Sequence, residues 1–292
     1  MTGGAGFIGS HLAVELLNRK YTVRILDNLY TGKKENVPIN AEFIIGDLRN
    51  ITDLKNALKD VESIVHLAAH VSVPESVKTP ILNFDINVRG TFLLLEEARK
   101  HEVEKFVFSS SAAIYGTVGE KIPETHEAKP KNPYGLNKLI AEKYCQQYSV
   151  LYGLKTNVLR YFNVYGPRKR GNAVDVFIRR ALANEPLLIN GDGTQFRDFV
   201  YVRDVVKATI SCLVNNRYGE VYNVGTERAT KVIDIAKMII DAAKTDSEIK
   251  FGPPRSGDIT GITADITKIR RELSFDPQYS IKKGLSETIK TY

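Results

Sequence analysis

The strongest constraint on the fold is an alternation of short apolar runs and helical stretches through the first half of the chain. Tyr21–Leu26, Glu42–Ile45, Ser63–Leu67, Lys105–Ser109 and Thr156–Leu159 are apolar through most of their length. Strands of a parallel sheet covered on both faces have that character. Between them, Gly9–Arg19, Thr52–Lys59, Ile81–Lys100 and Pro133–Tyr152 read as helices. Strand-helix-strand repetition implies right-handed crossovers and a doubly wound α/β sheet. After about Arg160 the pattern loosens. Helices are expected at Val174–Ala183, Val202–Asn215, Val232–Ala243 and Asp265–Leu273, with short strands at Leu187–Ile189 and Val221–Val224. No internal repeat and no Pro/Gly/Ser linker interrupts the chain.

The start of the chain says what such a sheet would hold. Residues 2–10 read Thr-Gly-Gly-Ala-Gly-Phe-Ile-Gly-Ser and lead into a helix, with Gly3, Gly6 and Gly9 spaced G-x-x-G-x-x-G. Glycines there allow a tight turn and close approach of a diphosphate to the backbone, while the helix N-terminus offers N–H groups and a positive dipole end. A Gly-rich turn alone is weak evidence. Asp27 strengthens it, because it ends the next strand, eighteen residues after Gly9, where an acid can hold ribose hydroxyls. An acid there repels a 2′-phosphate, so NAD is favoured over NADP, although Lys33 and Lys34 act against that discrimination. We therefore expect a Rossmann-like NAD-binding domain over residues 1–160. A smaller C-terminal lobe over 161–292 would mainly bind substrate, interleaved with the first and facing it across a cleft. Only Met1 and Thr2 precede Gly3, yet the first strand of this fold is central. The first strand is apparently missing, and a clipped start is the expected reason.

Pro133-Tyr134-Gly135-Leu136-Asn137-Lys138 places Tyr134 and Lys138 four residues apart on one helix face. A lysine cation would lower the tyrosine pKa, letting the phenol serve as base and acid near neutrality. Alone the spacing could be an ordinary exposed pair. Ser109-Ser110-Ser111 at the end of the preceding strand makes it more specific, since a hydroxyl there can bond a reacting oxygen.

Composition closes several alternatives. With 43% hydrophobic and 26% charged residues, the chain is not a wholly disordered one. No apolar run reaches the roughly 18 residues that span a bilayer, so no membrane partner is expected. Cys145 and Cys212 are too few for a disulfide scaffold and read as small core residues. With a Gly-rich turn directly after Met1, no leader is expected, and the location expected is cytoplasmic. His11, His66, His70, His101 and His126 show no ligand spacing, so no metal is assigned. The net charge of +7 comes from scattered residues, with Arg168-Lys169-Arg170 the densest run; this suits phosphate-bearing ligands better than nucleic acid.

Nearly the whole chain resembles the extended short-chain dehydrogenase/reductase family, and within it the UDP-glucose 4-epimerases. The matching stretches begin with T-G-G-A-G-F-I-G-S-H, L-D-N-L-Y-T-G at 26–32, G-D-L-R at 46–49, H-L-A-A at 66–69 and D-I-N-V-R-G-T at 85–91. They continue with F-S-S-S-A-A-I-Y-G at 108–116, P-Y-G-L-N-K at 133–138, R-Y-F-N-V-Y-G-P-R at 160–168, G-D-G-T-Q-F-R-D-F-V at 191–200 and Y-N-V-G at 222–225. The resemblance implies that Phe7, Ile8 and Asn28 join Gly3, Gly6, Gly9 and Asp27 around the dinucleotide. Asp47 and Leu48 would flank the adenine, and Leu67, Ala68 and Ala69 would line the cofactor path. Asn87, Ser109 and Phe162 would lie near the nicotinamide. Ser111 and Tyr134 would contact the sugar 4-hydroxyl, with Lys138 on the nicotinamide ribose. Asn163 and Arg197 would hold the nucleotide diphosphate, Arg255 a second phosphate contact, and Ile262 the sugar 2-substituent. Plainer alternatives stand beside these: Asn87 could cap or cross-link a buried helix, Phe162 and Ile262 could be core, Asn163 could satisfy a turn, Arg197, which precedes Asp198, could pair with an acid, and Arg255 could be a solvated surface residue.

Members of this fold dehydrate, decarboxylate, reduce or epimerise nucleotide sugars. Related 4,6-dehydratases carry an Asp-Glu pair, or at least a Glu, where this chain has Ala112 and Ala113, and nucleotide-sugar decarboxylases resemble them in keeping the Glu. Two methyl groups transfer no proton, so the expected reaction is NAD-dependent interconversion of UDP-glucose and UDP-galactose. The alternatives are a UDP-N-acetylhexosamine or UDP-glucuronate 4-epimerase, a nucleotide-sugar reductase, or a catalytically idle dinucleotide-binding regulator. The resemblance also implies a homodimer through Ile81–Lys100 and Pro133–Tyr152.

Overall fold

A computed structural model describes residues 1–116, 119–253 and 261–292. The main sheet is all parallel. Its strands run, from one edge, Glu42–Ile45, Arg24–Asp27, then Ser63–His66, Lys105–Ser111, Lys155–Tyr161 and Val221–Val224. The gap between Arg24–Asp27 and Ser63–His66 is held by Met1 and Thr2. Thr2 bridges to both Leu26 and His66, and its N–H donates to the Val65 carbonyl at 3.1 Å while Gly3 N–H donates to Leu26 at 2.9 Å. The central position of the sheet is thus paired on both sides as far as these residues reach. The sheet reversal that defines a ligand crevice falls at this point.

The expected helices over 133–152 and 232–243 form with those bounds, and the others differ by a few residues at their ends. Pro133–Tyr152 shows why. Asn132 caps it by accepting from Gly135 N–H at 2.9 Å, Pro133 sits where a missing N–H costs nothing, and Gly153 closes it in the left-handed region. The stretch expected as one helix over 81–100 is Pro80–Phe84 and Gly90–Lys100 joined by a π-helical turn, Asp85–Arg89. Such turns recur at functional sites, and this one carries Asn87.

The division at residue 160 is not clean. Val221–Val224 lies in the second half of the chain but pairs in parallel with Lys155–Tyr161 as an edge strand of the main sheet. Helix Val202–Val214 packs on helix Phe7–Asn18. The second lobe proper contains Phe196–Tyr201, flanked by Ala229–Lys231 and Gly261–Ile262 and paired with Asn163–Tyr165. It also contains the parallel pair Leu187–Asn190 and Ile249–Gly252, and helices Ala173–Leu182, Val232–Ala243 and Ile281–Ile289. One apolar core joins the lobes, because Tyr115, Phe162, Tyr222 and Ile262 belong to the cluster that also contains Ile25 and Val107 of the main sheet. Among the described residues no helix is long and apolar enough to cross a membrane.

Candidate active site

The phosphate turn is built on close packing. Gly3 adopts φ +71°, and a side chain at Gly9 would collide with the Gly3 carbonyl and Gly4 Cα. Gly6 differs: a Cβ there would meet only the Gly3 carbonyl, at 3.2 Å, so its outer side is open. Gly6 precedes helix Phe7–Asn18 and contributes no side-chain cap. The turn is therefore a cradle of backbone N–H groups at a helix N-terminus, which fits a diphosphate. Asp27 is buried, and its carboxylate accepts from Ala5 N–H at 3.0 Å and Leu29 N–H at 2.9 Å. These bonds aim it beside the cradle, as a ribose-binding acid requires. Lys33, expected to act against that acid, is paired with Glu35 at 3.2 Å.

Asn28 donates to Asp47 at 2.9 Å, and Arg49 holds the same carboxylate from two nitrogens at 2.8 and 2.7 Å, which keeps Asp47 well below the usual carboxylate range. Leu48 is buried next to it. Leu67, Ala68 and Ala69 follow strand Ser63–His66 and run alongside the turn, since Ala68 N–H donates to the Thr2 hydroxyl at 3.2 Å. His66 lies 2.7 Å from that hydroxyl and 2.9 Å from Thr91, and burial drives its pKa well down. It is a neutral structural group. Among the described residues no cluster of three potential metal ligands occurs.

Asn87 takes the plainer of its two alternatives in part. Its side chain accepts from His70 N–H at 2.8 Å and donates to the His70 carbonyl at 3.0 Å, while Asn83 accepts from both Asn87 and Asn137. This amide network ties helix Pro133–Tyr152 to the loop after Ala69.

Strand Lys105–Ser111 brings the catalytic candidates together. Its end turns at once into Ala112–Tyr115, and Ser111 caps that turn by accepting from Ala113 N–H at 3.2 Å. Gly135 lets the first turn of the helix approach it, because a Cβ at 135 would sit 2.5 Å from the Ala113 carbonyl. Ser111 is the neighbour that acts to lower the Tyr134 pKa. The Lys138 ammonium donates to the Ser109 carbonyl at 2.8 Å and lies 4.7 Å from the centre of the Phe108 ring.

One expectation fails here. Lys138 does not lower the tyrosine pKa in this structure. Burial pushes Tyr134 up, opposed only by Ser111, and burial also brings Lys138 down to about 8. Both side chains are desolvated together, and the ammonium is spent on a carbonyl.

Phe162 is in the core, its ring 6.4 Å from that of Tyr115. Asn163 donates to the Asp198 carbonyl at 3.4 Å. Arg197 Nη1 donates to the Phe196 carbonyl at 2.8 Å, and the buried Asp198 carboxylate accepts from Thr226 N–H and hydroxyl, Glu227 N–H and Ala264 N–H. Neighbours in a strand face opposite ways. Ile262 pairs in register with Arg197 and is 2% exposed. Arg255 lies outside the described residues.

Gly135, to which the sequence assigned no role, also contributes by its close approach to the Ala113 carbonyl.

A backbone cradle for a diphosphate, an acid at the next strand end and a Ser-Tyr-Lys set whose Tyr134 and Lys138 are buried define an α/β nucleotide-binding protein equipped for proton transfer. The chain belongs to the NAD dependent epimerase/dehydratase family, whose model matches residues 1–225. NAD is its cofactor, and the residues just described fit it. A putative UDP-glucose 4-epimerase of Methanocaldococcus jannaschii is 40% identical over 99% of this chain and 96% of its own length. The UDP-glucose 4-epimerase of Thermotoga maritima, solved with UDP-glucose, superposes with a TM-score of 0.96 at 38% identity, covering 99% of this chain and 96% of that one. A UDP-N-acetyl-alpha-D-glucosaminuronate decarboxylase of Bacillus cytotoxicus is also 35% identical over 100% of this chain and 96% of its own.

Proposed function

We propose that the protein is an NAD-dependent 4-epimerase that interconverts UDP-glucose and UDP-galactose. The observation that carries this reading is the meeting of Ser111, Tyr134 and Lys138 beside a turn whose positions 112 and 113 hold only methyl groups. A 4,6-elimination needs an acid and a base there, and alanines supply neither.

Tyr134 takes the proton of the sugar 4-hydroxyl and later returns it, and Ser111 holds the same oxygen in place. Lys138, a cation below about pH 8, holds the nicotinamide ribose beside Tyr134. When bound, NAD would supply the hydride acceptor and donor for sugar carbon 4 and a positive charge that favours the phenolate. Asp27 selects the unphosphorylated ribose. Asn163 and Arg197 anchor the nucleotide diphosphate from the second lobe while the sugar turns. Two free buried cysteines are consistent with a reducing, cytoplasmic location.

The outward faces of the helical stretches at 80–100 and 133–152 carry exposed Ile81, Phe84, Leu136, Val150 and Leu151. Apolar surface of this kind on two adjacent helices suits a homodimer; a monomer mass in sedimentation equilibrium would remove that assignment.

Incubating purified protein with UDP-glucose and resolving the products tests the reaction. Accumulation of UDP-galactose to an equilibrium mixture is expected. Loss of carbon dioxide from a UDP-uronate, or a stable 4-keto-6-deoxy product, would replace this reading.

A further inference from the structure

A polar layer crosses the sheet directly beneath the site. Ser110 stands opposite Arg160, and Arg160 opposite Asn223, on three adjacent strands. Their side chains therefore leave the sheet on one face. Glu142, from the helix of Tyr134 and Lys138, reaches into this layer. Arg160 grips it from two nitrogens, Nη2 to Oε2 at 2.8 Å and Nε to Oε1 at 3.1 Å, and the Ser110 hydroxyl donates to Oε1 as well. Arg160 Nη1 also donates to the Tyr115 hydroxyl at 2.8 Å and the Glu124 carbonyl at 2.9 Å. Tyr115 passes its own proton to Asn223 Oδ1 at 2.7 Å, and Asn223 donates to the carbonyls of Ile122 at 2.8 Å and Asp265 at 3.3 Å. All five side chains are buried.

An ion pair this deep is costly to desolvate, and apolar residues of similar volume often serve stability as well or better. Stability alone is therefore a weak reason for it. Position supplies another. Glu142 follows Lys138 by one helical turn on the same face, and its ligand Ser110 lies between Ser109, whose carbonyl holds Lys138, and Ser111. We propose that the Glu142–Arg160 pair is a positioning device for Lys138, holding the lysine charged and fixing its helix against the strand that carries Ser111. This rests on the reading of Tyr134 and Lys138 as the proton-transfer pair.

The surroundings of Lys138 show how Glu142 acts on it. The strand side presents the Ser109 carbonyl, the Phe108 ring and neutral His66; its own helix presents Tyr134, Cys145 and Glu142. Burial favours the neutral amine, opposed first by Cys145 and then by the Glu142 carboxylate. Arg160 completes the carboxylate's bonding from the far side without acting on Lys138 directly.

The test is to titrate Lys138 by carbon NMR in protein labelled at lysine Cε, the resonance being identified by its loss in Lys138→Arg. In Glu142→Gln the midpoint is expected to fall by about one pH unit, the shift an opposite charge at close range produces. Glu142→Asp keeps the charge and is expected to stay near the wild-type midpoint. Steady-state kinetics should show kcat of Glu142→Gln falling about fivefold at pH 8 and less than about twofold at pH 6.5, with KM within twofold. If Glu142→Gln does not fold, the double variant Glu142→Met with Arg160→Met decides, because it removes both buried charges and retains bulk. Its lysine midpoint is also expected to fall. An unchanged midpoint in either folded variant overturns the proposal. The titration needs no turnover: a protein with the shifted midpoint but no epimerase activity would refute the proposed reaction and leave this inference standing.

Discussion

Tyr134 and Lys138 show how far a motif can be read without its surroundings. The four-residue spacing is visible in the sequence, and so is the shared helix face. The electrostatics are not, because they depend on burial and on the Ser109 carbonyl, which reaches the site from a strand about thirty residues earlier. Replacing Tyr134 with Phe removes the proton acceptor and keeps the ring. Turnover should drop by about 10²–10⁴-fold while sugar nucleotide binding stays within a few-fold. A variant that retains a tenth of wild-type kcat would show that Tyr134 is not the base. Wild-type kcat should also decline above about pH 8, where Lys138 loses its proton. The sign follows from its lowered pKa: the cation is present below that value and lost as pH rises through it. A flat profile from pH 7 to 10 would contradict the role of that charge. Ile262 offers a test of substrate width. A branched side chain 2% exposed and paired with Arg197 leaves less room than serine. Ile262→Ser should raise the kcat/KM ratio of UDP-N-acetylglucosamine to UDP-glucose by about 10–200-fold, the range a small change in pocket volume supports. An unchanged ratio in a stable variant would place Ile262 in the core only.

At the level of elements, the long and strongly patterned segments were legible. Pro133–Tyr152 carries its own Asn cap, its first-turn proline and its terminal glycine, so both ends could be read locally. In the second lobe Leu187–Asn190 was legible as a strand, but Phe196–Tyr201 was not. Phe196–Tyr201 mixes arginine and aspartate with aromatics, and its identity depends on neighbours distant in sequence. The π-turn at 85–89 was equally hidden, since an inserted residue leaves helical periodicity nearly intact. The contact between helix start and serine turn depends on Gly135. Gly135→Ala would place a methyl group 2.5 Å from the Ala113 carbonyl. Backbone must yield there, so we expect a stability loss of about 1–3 kcal/mol together with a fall in kcat larger than any change in KM. Equal kcat and melting temperature would mean that the two elements can part without consequence.

For the whole molecule, alternation of strands and helices was enough to predict the doubly wound sheet, because parallel strands leave few other arrangements. It was not enough to assign Val221–Val224, which crosses back from the second half of the chain to the edge of the first sheet. That return places Tyr222 and Val224 in the same apolar cluster as Ile25 and Val107 of the main sheet and Ile262 of the second lobe. A nucleotide sugar held between them would have its diphosphate anchored by one lobe and its sugar presented to Ser111 and Tyr134 of the other. In the proposed reaction carbon 4 loses and regains the same hydrogen within this site. Purified protein given UDP-glucose deuterated at carbon 4, with no added reductant, tests it most directly. UDP-galactose that retains the deuterium at carbon 4 is predicted. Galactose carrying solvent hydrogen there, or no UDP-galactose at all, would contradict it.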